Sequence, residues 1–307
     1  MNKKQILDKI INSKHLKRSM AENECENFIN KMCLENPFKA SYTKYLKAKF
    51  ARHWANSDFE HEVLQAEFLK SKEEFETVLN DYGLTFDDLL PKYSCKFCSD
   101  SGKYNDKWCV CVKDELTKQL SMNCSSLDTL HTFDDCDKSI MTDEDIKTCD
   151  LLKTWCGKFP DVKKTNITLM GCSGSGKTFL LQCVANALIK KQVVVSFVTA
   201  FNLNEDARLY HCGSSYDFMD YLKADVLIID DLGTEPIFKN VTVEYLYNLI
   251  NSRQMKKLPT LISTNLNLKQ IVERYEERIF SRLVDQRLSL SIQLPSTDKR
   301  VKQKETP

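Results

Sequence analysis

The sequence predicts an α/β protein: a core built on a five-stranded parallel sheet, preceded by a helical N-terminal region that carries a small cysteine-rich module. Three observations predict it. Apolar runs at 167–170, 193–198, 226–229, 260–263 and 288–294 alternate with amphipathic stretches, the pattern of buried strands covered by helices. Residues 1 to about 90 instead carry apolar residues at helical spacing. Between Tyr93 and Val112 the texture changes to Cys, Gly, Asp and Lys with little periodicity, which suits a short loop-rich unit held by an external staple.

In the helical region Ile6, Leu7, Ile10 and Ile11 share one stripe, and Phe59, Val63, Phe75, Val78 and Leu79 another. Pro37 and Pro91 punctuate it. The many Lys and Glu residues on the other faces fit either a solvated helical surface or a module that docks a partner. Residues 113 to about 135 read as a linker. The expected organisation is therefore 1–90 helical, 91–120 cysteine module, 121–160 linker and lead-in, and 161–307 core.

A chain of 307 residues has room for two domains. Its 44 basic and 43 acidic residues leave a formal charge of +1, so no global field announces a nucleic-acid or membrane partner. The first residues contain no continuous apolar segment of the kind that directs export, and no run approaches a membrane span. A cytoplasmic protein is expected, in which thirteen cysteines stay reduced or bind metal.

Two close pairs, Cys95-Lys-Phe-Cys98 and Cys109-Val-Cys111, flank a turn-rich loop. Four thiolates at tetrahedral reach suit Zn²⁺. Because the second pair is C-x-C, Cys124 and His131 stand as alternative fourth ligands, and unligated thiols are the plainer alternative. Cys25, Cys33 and Cys172 lack any such spacing.

Gly171-Cys172-Ser173-Gly174-Ser175-Gly176-Lys177-Thr178 fits G-x-x-x-x-G-K-[ST], a loop whose backbone N–H groups curl around phosphate oxygens. An apolar run precedes it and a helical pattern follows, so the phosphates of ATP would lie at a helix N-terminus. Lys177 would neutralise the outer phosphates and Thr178 would hold Mg²⁺. Val226-Leu-Ile-Ile-Asp230-Asp231 is a buried strand ending in two carboxylates. Phosphoryl transfer supplies a reason: Asp230 orders the metal and Asp231 orients or deprotonates the attacking water. A helix-capping Asp pair is the structural alternative.

A helix-strand unit at 193–222 separates the phosphate-loop helix from the acidic strand, and a later strand ends Ser263-Thr264-Asn265. That layout resembles the additional-strand class of P-loop ATPases, with Asn265 at the polar position beside the water. Taken with Ile228-Ile-Asp-Asp-Leu-Gly233, Ser263-Thr-Asn-Leu266 and Glu277-Arg-Ile-Phe-Ser-Arg282-Leu, the phosphate loop makes residues 125 to 300 resemble the DnaC/DnaI branch of AAA+ ATPases. IstB-type transposition helpers are close cousins with similar motifs.

The resemblance implies a loader of a hexameric replicative helicase in DNA replication, in which ATP hydrolysis is slow and regulatory. Asp231 stands where many AAA+ relatives have Glu. It implies that Arg282, on the same helix face as Arg278, reaches a neighbouring subunit's γ-phosphate, so the core self-associates. Phe133 would pack near the adenine, and Arg300 of Asp298-Lys-Arg300 would sense nucleotide in its own subunit. Loaders of this type carry a zinc module, which Cys95, Cys98, Cys109 and Cys111 match, whereas IstB-type helpers usually lack one. Single-stranded DNA would bind the core. The local basic groups Lys163-Lys164, Lys190-Lys191, Lys256-Lys257 and the tail from Lys299 to Lys304 do not identify a contact residue.

Overall fold

The computed structural model describes residues 3–54, 57–122, 131–213, 218–295 and 298–299. The chain forms two compact units, Lys9–Val112 and Met1–Asp8 with Lys113–Pro307. Among the described residues no helix is long and apolar enough to cross a membrane.

The N-terminal helices are α1 (Lys3–Met32), α2 (Asn36–Ala51) and α3 (Asp58–Asp81). Pro37 sits in the first turn of α2, where a missing N–H costs nothing. Phe38, Phe75 and Leu79 are fully buried, and the Phe38 and Phe75 rings meet edge-on at 5.5 Å. The predicted stripe on α3 holds only in its second half. Phe59 and Val63 are exposed because the buried face runs through Phe68, Phe75 and Leu79.

A two-residue hairpin follows, β1 (Lys103–Tyr104) and β2 (Lys107–Trp108), turned by Asn105 and Asp106 with φ of 49° and 57°. Next comes α4 (Val110–Met122), where the sequence reading expected a linker. Val112, Leu116 and Leu120, at i, i+4 and i+8, are buried and supply the apolar stripe that stabilises it.

After α4 comes α5 (Asp143–Lys158), whose N-terminus is closed by a Thr142–Asp145 capping box. The core then runs β3 (Asn166–Met170), α6 (Lys177–Lys190), β4 (Val195–Thr199), α7 (Ala200–His211), the short α8 (Phe218–Tyr221), β5 (Val226–Leu232), α9 (Thr242–Met255), β6 (Thr260–Thr264), α10 (Leu268–Leu283) and β7 (Ser289–Gln293). The five strands, all parallel, lie in the order β4-β5-β6-β3-β7. Thus β6 is inserted between the phosphate-loop strand and the acidic strand, and the carboxyl ends of all three meet at one edge. At the opposite end of β6 the fully buried Arg253 donates to the carbonyls of Tyr221, Ala224 and Pro259 and to Thr260 Oγ1. Those four bonds fix the loops that enter β5 and β6.

Candidate functional site

The loop from Gly171 to Thr178 joins β3 to α6, as its sequence requires. Gly174 and Gly176 have φ of 79° and 92°, a left-handed backbone that glycine alone adopts without strain, and a Cβ on Gly174 would collide with the Asp298 carboxylate. Helix α6 starts at Lys177, so the loop lies over its free N–H groups. The Lys177 ammonium is folded inward, donating to the carbonyls of Gly171 (2.9 Å) and Cys172 (2.8 Å) and to Asn265 Oδ1 (2.7 Å).

Thr178, Asp230, Asp231 and Ser263 form one chain of hydrogen bonds. The Thr178 hydroxyl donates to Asp230 Oδ2 at 2.9 Å, the Ser263 hydroxyl donates to Asp230 Oδ1 at 2.5 Å, and the Asp231 N–H donates to Ser263 Oγ at 2.8 Å. Burial pushes the Asp230 carboxyl above the usual range, Asp231 adds to that rise, and the Ser263 and Thr178 hydroxyls oppose it. Asp231 has φ of 56° and sits where the β5–β6 register shifts. That irregularity separates two adjacent acids: Asp230 is buried under the sheet edge, while half-buried Asp231 lines the cavity beside the loop. The cavity, about 580 Å³, also has Gly174, Asn265, Cys136 and Met141 in its wall.

Sequence reasoning assigned no role to Ser263, Asp145 or Lys299. The Lys299 N–H donates to Gly174 O and its ammonium to Ser175 O, each at 3.0 Å. The same ammonium lies 2.7 Å from Oδ1 of buried Asp145; Oδ1 has no directed hydrogen bond among the described residues, so this contact is an ion pair. Arg300, the residue expected here, lies outside the described residues, as does Cys124. The Phe133 ring lies 5.7 Å from the Lys153 ammonium, and Cys136, Ile140 and Met141 are among the residues lining the cavity.

Arg282 lies half-buried in the last turn of α10 and is not among the residues lining the cavity, and its Nε has no partner among the described residues. Arg278 pairs with Glu276 (3.0 Å) and Glu244 (3.7 Å) and covers the Tyr247 ring. Helix α10 is tied to the acidic strand through buried Glu235, which accepts from the Gly233 N–H at 2.9 Å and from the Tyr275 hydroxyl.

In the smaller unit the Sγ atoms of Cys95, Cys98, Cys109 and Cys111 lie within 4.8 Å of one another. Cys95–Cys109 and Cys98–Cys111 are 3.8 Å and 3.6 Å apart. A tetrahedral Zn²⁺ with bonds of about 2.3 Å places its sulfurs roughly 3.8 Å apart, so the donor set fits. His131, the alternative ligand, packs on Phe179 with ring centroids 5.0 Å apart. Buried Asp100 braces the knuckle by accepting from the N–H groups of Ser94 (2.6 Å) and Cys95 (3.2 Å) and pairing with Lys14 (3.4 Å). The Cys98 N–H points at the Cys95 sulfur and draws that thiol down to about 7.

Residues 109–305 match the family of IstB-like ATP binding proteins. A phage-like element PBSX protein, XkdC, of Bacillus subtilis (strain 168) is 28% identical over 220 residues, spanning 63% of this chain and 79% of that protein. An insertion sequence IS232 ATP-binding protein of Bacillus thuringiensis subsp. berliner is 28% identical over 117 residues, 38% of this chain and 46% of the relative. Among solved structures, DnaI aligns with TM-score 0.44 and 26% identity, covering 55% of this chain and 90% of that one. The DnaC helicase loader aligns with TM-score 0.47 and 20% identity, covering 53% and 96%. Both scores fall below 0.5, so the assignment rests on the sequence match joined to the phosphate loop, the paired acids and the strand order. On that basis the chain belongs to the IstB-like ATP binding protein family and is a P-loop ATPase of the AAA+ type.

Proposed function

We propose that this ATPase is an ATP-controlled loader of a hexameric replicative helicase. The observation that carries the reading is the four-thiol knuckle ahead of the ATPase core. In this reading the residues before the core grip the helicase, while the core binds ATP and single-stranded DNA and self-associates.

Within the site, the backbone of Gly171–Thr178 cradles the phosphates and Lys177 neutralises the outer ones. The Thr178 hydroxyl and the Asp230 carboxylate, hydrogen-bonded to one another, would hold Mg²⁺, which would supply charge neutralisation at the transferring phosphoryl group. Asp231 takes the proton of the attacking water, and Asn265, now holding Lys177 at 2.7 Å, exchanges that contact for one to the water or γ-phosphate. Arg282 serves the site of a neighbouring copy, and it is not among the residues that line the cavity of its own chain. Zn²⁺ on Cys95, Cys98, Cys109 and Cys111 staples the smaller unit.

The second reading is a transposition helper, favoured by the similarity to the insertion-sequence ATP-binding protein. Capture of the cognate helicase by the purified full chain, with and without ATP, separates the two. Loading requires ATP-sensitive capture; a chain that binds a transposase and ignores the helicase in both states overturns it.

A further inference from the structure

The thiol knuckle presents a surface that its stapling role does not use. Phe97, Tyr104 and Trp108 are 73%, 55% and 38% exposed on a module that otherwise buries Cys95, Cys98, Cys109 and Asp100. The three rings line one groove of about 420 Å³ together with Lys107 and Val110. Large aromatic rings left in water need a partner to justify them.

The hairpin arranges charge around those rings. Its two cross-strand pairs are Lys103 with Trp108 and Tyr104 with Lys107, so each exposed ring stands opposite a lysine. The Lys103 ammonium lies 5.4 Å from the centre of the Trp108 ring. Lys96 is exposed beside Phe97. Of the two acids in the same stretch, Asp100 is buried and neutralised by Lys14, leaving Asp106 of the turn against Lys96, Lys103 and Lys107.

Flat faces at the spacing of a hairpin, each with a neighbouring cation, match the two needs of an unpaired polynucleotide: stacking for its bases and countercharge for its phosphates. We propose that the Phe97–Tyr104–Trp108 groove is a second binding site for single-stranded nucleic acid, separate from the ATPase core. The type I′-like turn fixes the two strands, so the rings are held ready rather than ordered on binding. Buried Asp100 and the thiol cluster supply the rigid base beneath them.

The test uses the full chain and fluorescent oligo-dT. Tyr104→Ala/Trp108→Ala weakens binding by at least about tenfold, since each stacked base contributes a large factor. Lys103→Gln/Lys107→Gln lowers the slope of log affinity against log salt by about 1.4, the value for two phosphate contacts on a single strand. Zinc content and ATP hydrolysis of the variants match the parent. In the unmodified protein, photo-crosslinking to bromodeoxyuridine-substituted oligo-dT labels the peptide spanning 97–110, a result independent of any variant's folding. Unchanged affinity of the aromatic variant, or crosslinks confined to the ATPase core, overturns the proposal. Loss of helicase capture with unchanged oligo-dT binding also overturns it, and makes the groove a protein-docking face.

Discussion

Asp230 occupies a position that opposes folding. Its carboxylate is buried at the end of β5, and burial raises its pKa above the usual value near 3.9. A raised acid binds its proton more tightly when folded, so stability falls as pH climbs through the window above about 3.9. Asp230→Asn is therefore expected to raise the melting temperature of the nucleotide-free protein at neutral pH while removing Mg²⁺-dependent hydrolysis, a trade common to sites held for function. Calorimetry at pH 7 and a phosphate-release assay check both halves. Ser263 orients the same carboxylate and also receives the Asp231 N–H. Ser263→Ala is expected to lower the hydrolysis rate by about 10–100-fold with little change in protein yield, as loss of a group that orients a metal ligand does.

Between elements, the segment around Lys299 straps the phosphate loop to α5. It joins Gly174 and Ser175 to Asp145, residues from two elements that have no sequence proximity to it. Burial of Asp145 raises its pKa, but the Lys299 ammonium and the Thr142 N–H and hydroxyl outweigh that and hold it below the ordinary range. A depressed acid contributes stability that is present above its unfolded pKa and lost as pH falls through the folded one. Lys299→Met leaves Asp145 buried and unpaired, and is expected to destabilise the ATPase core by on the order of 3 kcal/mol. Denaturant melts of that variant beside Lys299→Met/Asp145→Asn check it: the double variant recovers part of the loss at pH 7, and the difference closes below about pH 4.

On the scale of the whole molecule, the two units are stabilised by different means. The larger one has a sheet whose central strands are buried on both faces; the smaller one has long helices, a small aromatic core and four converging thiols. Cys98→Ser is expected to abolish zinc binding and expose residues of the smaller unit to protease, while nucleotide binding by the core survives. Limited proteolysis and a nucleotide-binding assay on one sample read both. The strands, the phosphate loop and the paired acids were legible in the sequence because each rests on local pattern: apolar runs, glycine spacing and an apolar strand ending in charge. The cysteine set was legible as spacing, and the fold brings the Cys111 sulfur within 4.8 Å of the other three. Ser263 and Lys299 were not legible, since their roles depend on which strands become neighbours and on where the segment after β7 returns. Helix α4 was missed because its stripe, Val112, Leu116 and Leu120, begins inside the cysteine-rich texture. Phe133 was expected at the adenine from resemblance alone; Cys136, Ile140 and Met141, which that resemblance did not single out, line the cavity. In the proposed mechanism Gly171–Thr178 holds ATP and Asp231 serves its hydrolysis. Titrating ATP against the parent, Lys177→Ala and Asp231→Asn, and following phosphate release in the same samples, tests it most directly. Asp231→Asn should bind ATP near the parental affinity without turning it over, and Lys177→Ala should lose binding. Parental turnover in either variant would contradict the assignment.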